Sequence, residues 1–206
     1  MPPAPSPPAK SCGSCSLCCK VMRIDELEKP MGAWCPNFKA GVGCAIYADR
    51  PASCRGFHCM WLLHPTMPDS VRPDRCKVVL EVDHEGRRIL ARADPAHPGA
   101  WRQEPIYSQL KRWSQEGWRN GRTVLAMVNR QMWFLAPDRD MDLGEVDARS
   151  PFFYEQSADG RITVTIMPPL ADGEAYDPDK VTAQTRAMTA ERVIVSPPSS
   201  STTFRR

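Results

Sequence analysis

Several things are missing from this chain of 206 residues, and each absence removes a class of function. No apolar run approaches the roughly 20 residues that a membrane-crossing helix needs; "MWLLH" at Met60–His64 is far too short. Concentrated basic charge is also missing. Lysine and arginine number 27 against 24 acidic residues, for a net charge of +3 and an isoelectric point near 8.4, whereas phosphate-backbone binding leaves dense basic clusters. Neither nucleic acid nor a membrane is indicated as a partner. The opening "MPPAPSPPAK" lacks a basic start followed by an apolar core and a small-residue cleavage site, so it does not read as a secretory signal and a cytoplasmic location is expected. There is no phosphate-cradling glycine loop and no dinucleotide fingerprint after a strand, nor any internal repeat. After Trp61 cysteine almost disappears, with Cys76 alone remaining.

What is abundant is cysteine before that point. Eight of the nine cysteines lie between Cys12 and Cys59, in under a quarter of the length. Thiols gathered so densely must be bridged, metallated or kept reduced. In a reducing cytosol structural disulfides are rare, so metal binding or redox chemistry is the expectation. Cys12, Cys15 and Cys18 follow C-x-x-C-x-x-C spacing, which lets successive thiolates turn back around one centre at about 2.3 Å per zinc–sulfur bond. Cys19 follows at once. Neighbouring side chains diverge from a shared backbone, so this vicinal pair suits two centres, or one polynuclear centre, better than one small tetrahedral site. Cys35, Cys44, Cys54 and Cys59 complete the candidate ligand set. The cofactor is zinc or an iron–sulfur cluster: two zinc ions, two clusters, one of each, or one cluster with spare cysteines all suit eight thiolates. Cys76, at the head of a strand, reads as a core cysteine.

The same residues carry a resemblance. "CGSCSLCC" matches the CxxCxxCC signature of cysteine-cluster proteins described as zinc- or iron-chelating, and "CPNFKAGVGCAIYADRPASCRGFHC" is similar to their downstream C-P…G-C-x-I-Y…R-P-x-x-C-R-x-F-x-C pattern. The likeness covers about residues 12–61 and implies metal chelation. It extends, distantly, to the cysteine-cluster part of flagellin lysine N-methylases, which implies as a second reading an iron–sulfur-dependent protein-modifying enzyme. A metal carrier or storage protein is a third reading. No catalytic residue is named by any of them.

Around the cysteines, Arg50 and Arg55 are candidates to stabilise clustered thiolate charge, while His58 adjoins Cys59 and points elsewhere, and His64 and His84 stand alone. Trp34, Tyr47, Phe57 and Trp61 are expected to wall the module from water.

The expected fold class is α+β: a loop-rich cysteine and metal module followed by an antiparallel sheet with one long helix. Residues 1–11 read as a disordered arm, 12–64 as the metal-binding module, 65–170 as the α+β region, and 171–206 as a weakly patterned segment and polar tail. "IDELEKP" predicts one or two helical turns ending at Pro30, and a second turn starts near Asp49 with Pro51 at an early helical position. Val78, Leu80 and Val82 alternate with Lys77, Glu81 and Asp83, and "DHEG" turns the chain into Arg88–Ala93. Two further hairpins follow, Thr123–Val128 with Met132–Leu135 and Phe152–Glu155 with Arg161–Ile166. Between the first two, Ile106, Leu110 and Trp113 recur at helical spacing over Pro105–Trp118. Val181–Ile194 is a helix or a strand. Trp101, Trp113, Trp118 and Trp133 read as core, and Arg119, Arg122 and Arg130 as a solvated rim or a contact for an acidic protein partner. The oligomeric state leaves no trace in the sequence.

Overall fold

The cysteine-rich stretch folds into short elements, as its frequent turn-formers require. The computed structural model describes residues 10–83, 86–147, 150–169 and 191–197, and contacts within the chain group it into two units, 1–140 and 141–206. In the first unit α1 (Cys18–Val21) is a single turn, followed by a 3-10 turn at Asp25–Leu27, the paired strands β1 (Phe38–Lys39) and β2 (Gly43–Cys44), α2 (Ala52–Gly56) and α3 (Met60–Leu63). The helical turn expected in "IDELEKP" is the 3-10 turn. It stops where Glu28 adopts φ 49° and the chain folds back to bridge Ile24 with Lys29. Pro51 flanks α2, where a missing N–H leaves no helical bond unmade. Gly43 has φ +100°, and a Cβ there would stand 3.0 Å from the Gly13 carbonyl oxygen. Only glycine allows β2 to approach the Cys12–Cys15 turn so closely.

A 3-10 turn at Asp69–Val71 and α4 (Pro73–Cys76) lead into β3 (Val78–Val82) and β4 (Arg88–Ala93), which pair antiparallel with Val78 opposite Ala93. Residues 84 and 85 of the expected turn lie outside the described residues. After a 3-10 turn at Ala100–Arg102 comes the long helix α5 (Ile106–Gly117), whose buried residues Ile106, Leu110, Ser114 and Gly117 recur at helical spacing. Gly121, at φ 68°, turns the chain into the antiparallel hairpin of β5 (Thr123–Val128) and β6 (Gln131–Leu135).

One pairing departs from the expected antiparallel sheet. β4 and β5 run parallel, with Arg88 opposite Thr123 and Arg92 opposite Met127. Parallel neighbours need a crossover of a dozen or more residues, and the segment carrying α5 supplies it. Strand alternation then sorts the side chains. Val78, Leu80, Ile89, Ala91, Val124, Ala126 and Leu135 share a core with Ile106, Leu110 and Trp101, and with Met60 and Trp61 from α3. Val79 belongs to a separate cluster with Leu17 and Val21. Helix α5 is further pinned by Ser114 Oγ, which donates to the Leu135 carbonyl at 2.7 Å, and by Lys111 Nζ, which meets the Ala136 carbonyl and, at 3.1 Å, Asp140.

The next strand is β7 (Asp140–Glu145). In the second unit β8 (Phe152–Gln156), β9 (Ile162–Ile166) and β10 (Arg192–Val195) form an antiparallel sheet in the order β10-β9-β8. Ile162, Val164 and Ile166 are buried, with Thr163 and Thr165 between them half-buried. Arg192 donates to the carbonyls of Leu143 and Glu145, the latter at 3.0 Å. Of the helix or strand expected over Val181–Ile194, the last residues are strand; residues 181–190, the arm up to residue 9 and the tail from 198 lie outside the described residues. The chain is therefore a mixed α+β protein with several sheets and one long helix among its described residues. None of those helices is long and apolar enough to cross a membrane.

Candidate metal centre

Each cysteine is set by a local backbone contact. The Cys15 amide donates to the Cys12 carbonyl at 2.8 Å, closing a tight turn, and Cys18 and Cys19 open α1. The Cys35 amide reaches back to the Cys19 carbonyl at 2.9 Å, which brings the loop after Pro30 against α1. Cys44 lies on β2 and Cys54 on α2. The carbonyl of Cys59, just before α3, accepts from Leu62 and Leu63 at 3.0 and 3.1 Å. Glu26 ties two of these segments together, accepting from the Ser53 amide at 3.0 Å and the Ser53 hydroxyl at 2.7 Å.

All eight cysteines expected as ligands, Cys12, Cys15, Cys18, Cys19, Cys35, Cys44, Cys54 and Cys59, line one cavity of about 170 Å³. That is far more than the roughly 10–15 Å³ one water needs. Much of the remaining wall is apolar, including Met22, Ile24, Leu27, Phe57 and Val79. Cys76 is not part of it; its Sγ stands 3.4 and 3.3 Å from the carbonyl oxygens of Val71 and Val78, either of which can accept its one S–H. Among the described residues no three cysteine, histidine or carboxylate side chains stand close enough, as placed, to hold one metal ion. The thiols share a wall and do not meet at a point.

The neighbouring Cys19 pushes the Cys18 thiol up, and Cys18 in turn lowers Cys19 to about 7. Cys18 is also influenced by Cys12 and Cys15, Cys59 by Cys12, and Cys54 by Cys19 and Cys35. Burial pushes Cys15, Cys54 and Cys59 up, which favours neutral thiols until a cation is present to stabilise the thiolates.

Several cations surround the cavity. Arg50 lines it, its guanidinium carbon 3.9 Å from the Tyr47 ring centroid and its buried Nε without a hydrogen-bond partner. Arg55 is turned to the Arg50 carbonyl at 2.6 Å and is not part of the wall. Lys29, which the sequence did not single out, is 3% exposed and is not part of the wall; burial pushes its ammonium down, opposed by Cys35, Cys19, Cys18 and Cys54. Lys20 pairs with the buried Asp94 at 2.6 Å, anchoring α1 to the segment after β4.

The aromatic expectations divide. Trp61 and Phe57 line the cavity, and Trp61 is buried with Lys10 and Arg72 at 4.8 and 5.5 Å from its ring. Tyr47 also contributes to the wall but is 48% exposed. Trp34 lies outside the wall, exposed and stacked on Phe38 at 4.0 Å. His58 and His64 are exposed, and His84 falls outside the described residues. Trp101, Trp113 and Trp133 are in or against the sheet core, and Trp118 meets Phe134 at 5.9 Å. Arg119, Arg122 and Arg130 are exposed.

Comparison with known protein families, with curated proteins and with solved structures gives no match to this chain.

Proposed function

We propose that this chain is a metal-binding protein whose ligands are Cys12, Cys15, Cys18, Cys19, Cys35, Cys44, Cys54 and Cys59, holding zinc or iron–sulfur centres as thiolates. The observation that carries this reading is that eight cysteines scattered over six short elements and turns line one cavity, while the ninth is bonded elsewhere. Packing alone gives no reason to collect them. The donor set is all sulfur, which suits zinc and iron–sulfur chemistry and disfavours magnesium or calcium. Because the thiols share a wall, loading draws them inward, and the bound centre then cross-links segments that otherwise rest on few contacts.

Anaerobic purification followed by metal and acid-labile sulfide analysis, with a visible spectrum before and after exposure to air, tests the proposal. Iron with matching sulfide and a bleachable chromophore identifies clusters, and stoichiometric zinc in a colourless protein identifies zinc sites. Protein that retains neither, and takes up neither zinc nor a reconstituted cluster, overturns it.

A further inference from the structure

The turn that carries the first two cysteines has no core of its own. Ser11, Gly13 and Ser14 are exposed, and Cys12 and Cys15 are half-buried. Burial there does little to offset the backbone entropy of ordering the turn. Its own bond, from the Cys15 amide to the Cys12 carbonyl at 2.8 Å, closes it. The side chain that reaches it from elsewhere is that of Arg72, 60 residues along the chain from Cys12: Nη2 donates to the same Cys12 carbonyl at 3.2 Å and stands 3.4 Å from Ser14 Oγ.

Arg72 is itself well fixed. Its carbonyl accepts from the Arg75 and Cys76 amides at 2.9 and 3.0 Å, so its backbone opens α4, which leads into the buried strand β3. Its Nε stands 3.1 Å from Asp74 Oδ1, and its guanidinium carbon lies 5.5 Å from the ring centroid of the buried Trp61. The side chain is 18% exposed. A planar guanidinium can meet a carbonyl, a hydroxyl, a carboxylate and a ring together, which a lysine ammonium cannot. Cys12, Gly13 and Cys15 line the cavity and Arg72 does not. The arginine therefore ties ligand-bearing backbone to the start of the sheet without entering the site.

We infer that Arg72 is the positioning residue for the Cys12 and Cys15 ligand pair, holding their turn in place so that these two thiols are pre-organised when the metal arrives. The inference rests on the metal-binding reading and adds to it which ligands the protein, rather than the metal, sets in place. Pre-organisation strengthens binding because less of the binding energy is spent on ordering the ligands, and outer partners that orient ligands act on metal sites in this way.

The test maps the reactivity of each thiol in the zinc(II)-loaded full chain, by iodoacetamide alkylation and mass spectrometry, in wild type and Arg72→Gln. Alkylation of Cys12 and Cys15 is expected to quicken about 10- to 100-fold in Arg72→Gln, while Cys35 and Cys54 keep their wild-type rates. A general loss of stability would instead expose every ligand together. Equal acceleration at all eight cysteines, or wild-type rates at Cys12 and Cys15, overturns the positioning role. Should Arg72→Gln not fold, Arg72→Lys, which keeps a cation beside Trp61 but not the planar fork, is read in the same way. If the centre is an iron–sulfur cluster, the map is made anaerobically on the reconstituted protein. Wild-type protein whose thiols react at the same rates with and without zinc(II), and with and without a reconstituted cluster, overturns the metal reading instead, a separate outcome.

Discussion

Asp94→Asn removes the carboxylate that anchors α1. The side chains of Lys20 and Asp94 are 14% and 8% exposed and their charged atoms stand 2.6 Å apart, so the mutation leaves a largely desolvated ammonium without its partner. Breaking such a pair costs about 3–5 kcal/mol. Asparagine can still accept from the Ala96 amide, which Asp94 does at 2.9 Å, so the lower end, about 3 kcal/mol, is expected at pH 7. For a chain of this size that lowers the melting temperature by about 6–12 °C. The pH dependence has a definite sign. Burial pushes the Asp94 carboxyl up, but the hydrogen bonds from Lys20 and the Ala96 amide, with the Lys20 charge, outweigh it and hold the carboxyl below its usual range. Its contribution is then complete above the unfolded value of about 3.9 and is lost as pH falls through the lower folded value. Urea denaturation of wild type and Asp94→Asn at several pH values should show curves separated at neutral pH that converge in acid. A cost below about 1 kcal/mol at pH 7, the size of an exposed pair, or a separation independent of pH, would refute the anchoring argument.

Cys18→Ser and Cys54→Ser should each lower the metal content of purified protein, whereas Cys76→Ser should leave it unchanged; equal metal loss in all three would contradict the ligand assignment. Leu110→Ala, at a fully buried position of α5, should cost about 2–5 kcal/mol in urea denaturation while the folded protein keeps its metal. A cost below about 1 kcal/mol would mean that α5 is not seated on the sheet as described. Glu26→Ala removes both bonds to Ser53 and so frees α2, which carries Cys54. Metal transfer to a chelator should accelerate, and an unchanged rate would show that the loop does not restrain that ligand.

The hairpins β3–β4, β5–β6 and β8–β9 were legible because each strand alternates on its own, and α5 because its apolar residues recur over three turns. The parallel pairing of β4 with β5 was not, since it depends on where α5 docks, a long-range choice that no local pattern carries. Strand β7 escaped for a different reason: in Asp140–Glu145 acidic residues and Gly144, at φ 71°, dilute an alternation left to Met141 and Leu143. The single-turn helices α1, α3 and α4 are too short for periodicity to register. At the site, the cysteines announce themselves by spacing. Lys29 does not, because a lysine after "DELE" reads as solvated, and only the fold-back at Glu28 and the bridge to Ile24 bury it.

The two ends of the cysteine-rich stretch are held differently from its middle. Leu17 and Val21 pack on Val79, and Met60 and Trp61 enter the sheet core, so both ends are anchored by apolar burial. Between them, from residue 36 to residue 59, Gly43 is the one buried residue, although this span supplies Cys44, Cys54 and Cys59. So little burial cannot offset the conformational entropy of ordering these residues, at about 1–2 kcal/mol each for the backbone, and under the proposed function the bond from each thiolate to a bound metal is what would fix them. Stripping the metal with a chelator under reducing conditions should therefore abolish hydrogen-exchange protection across residues 36–58, while α1 and α3 keep theirs. Protection lost uniformly from Cys12 through Leu63, or retained in the middle, would show that metal is not what orders this span.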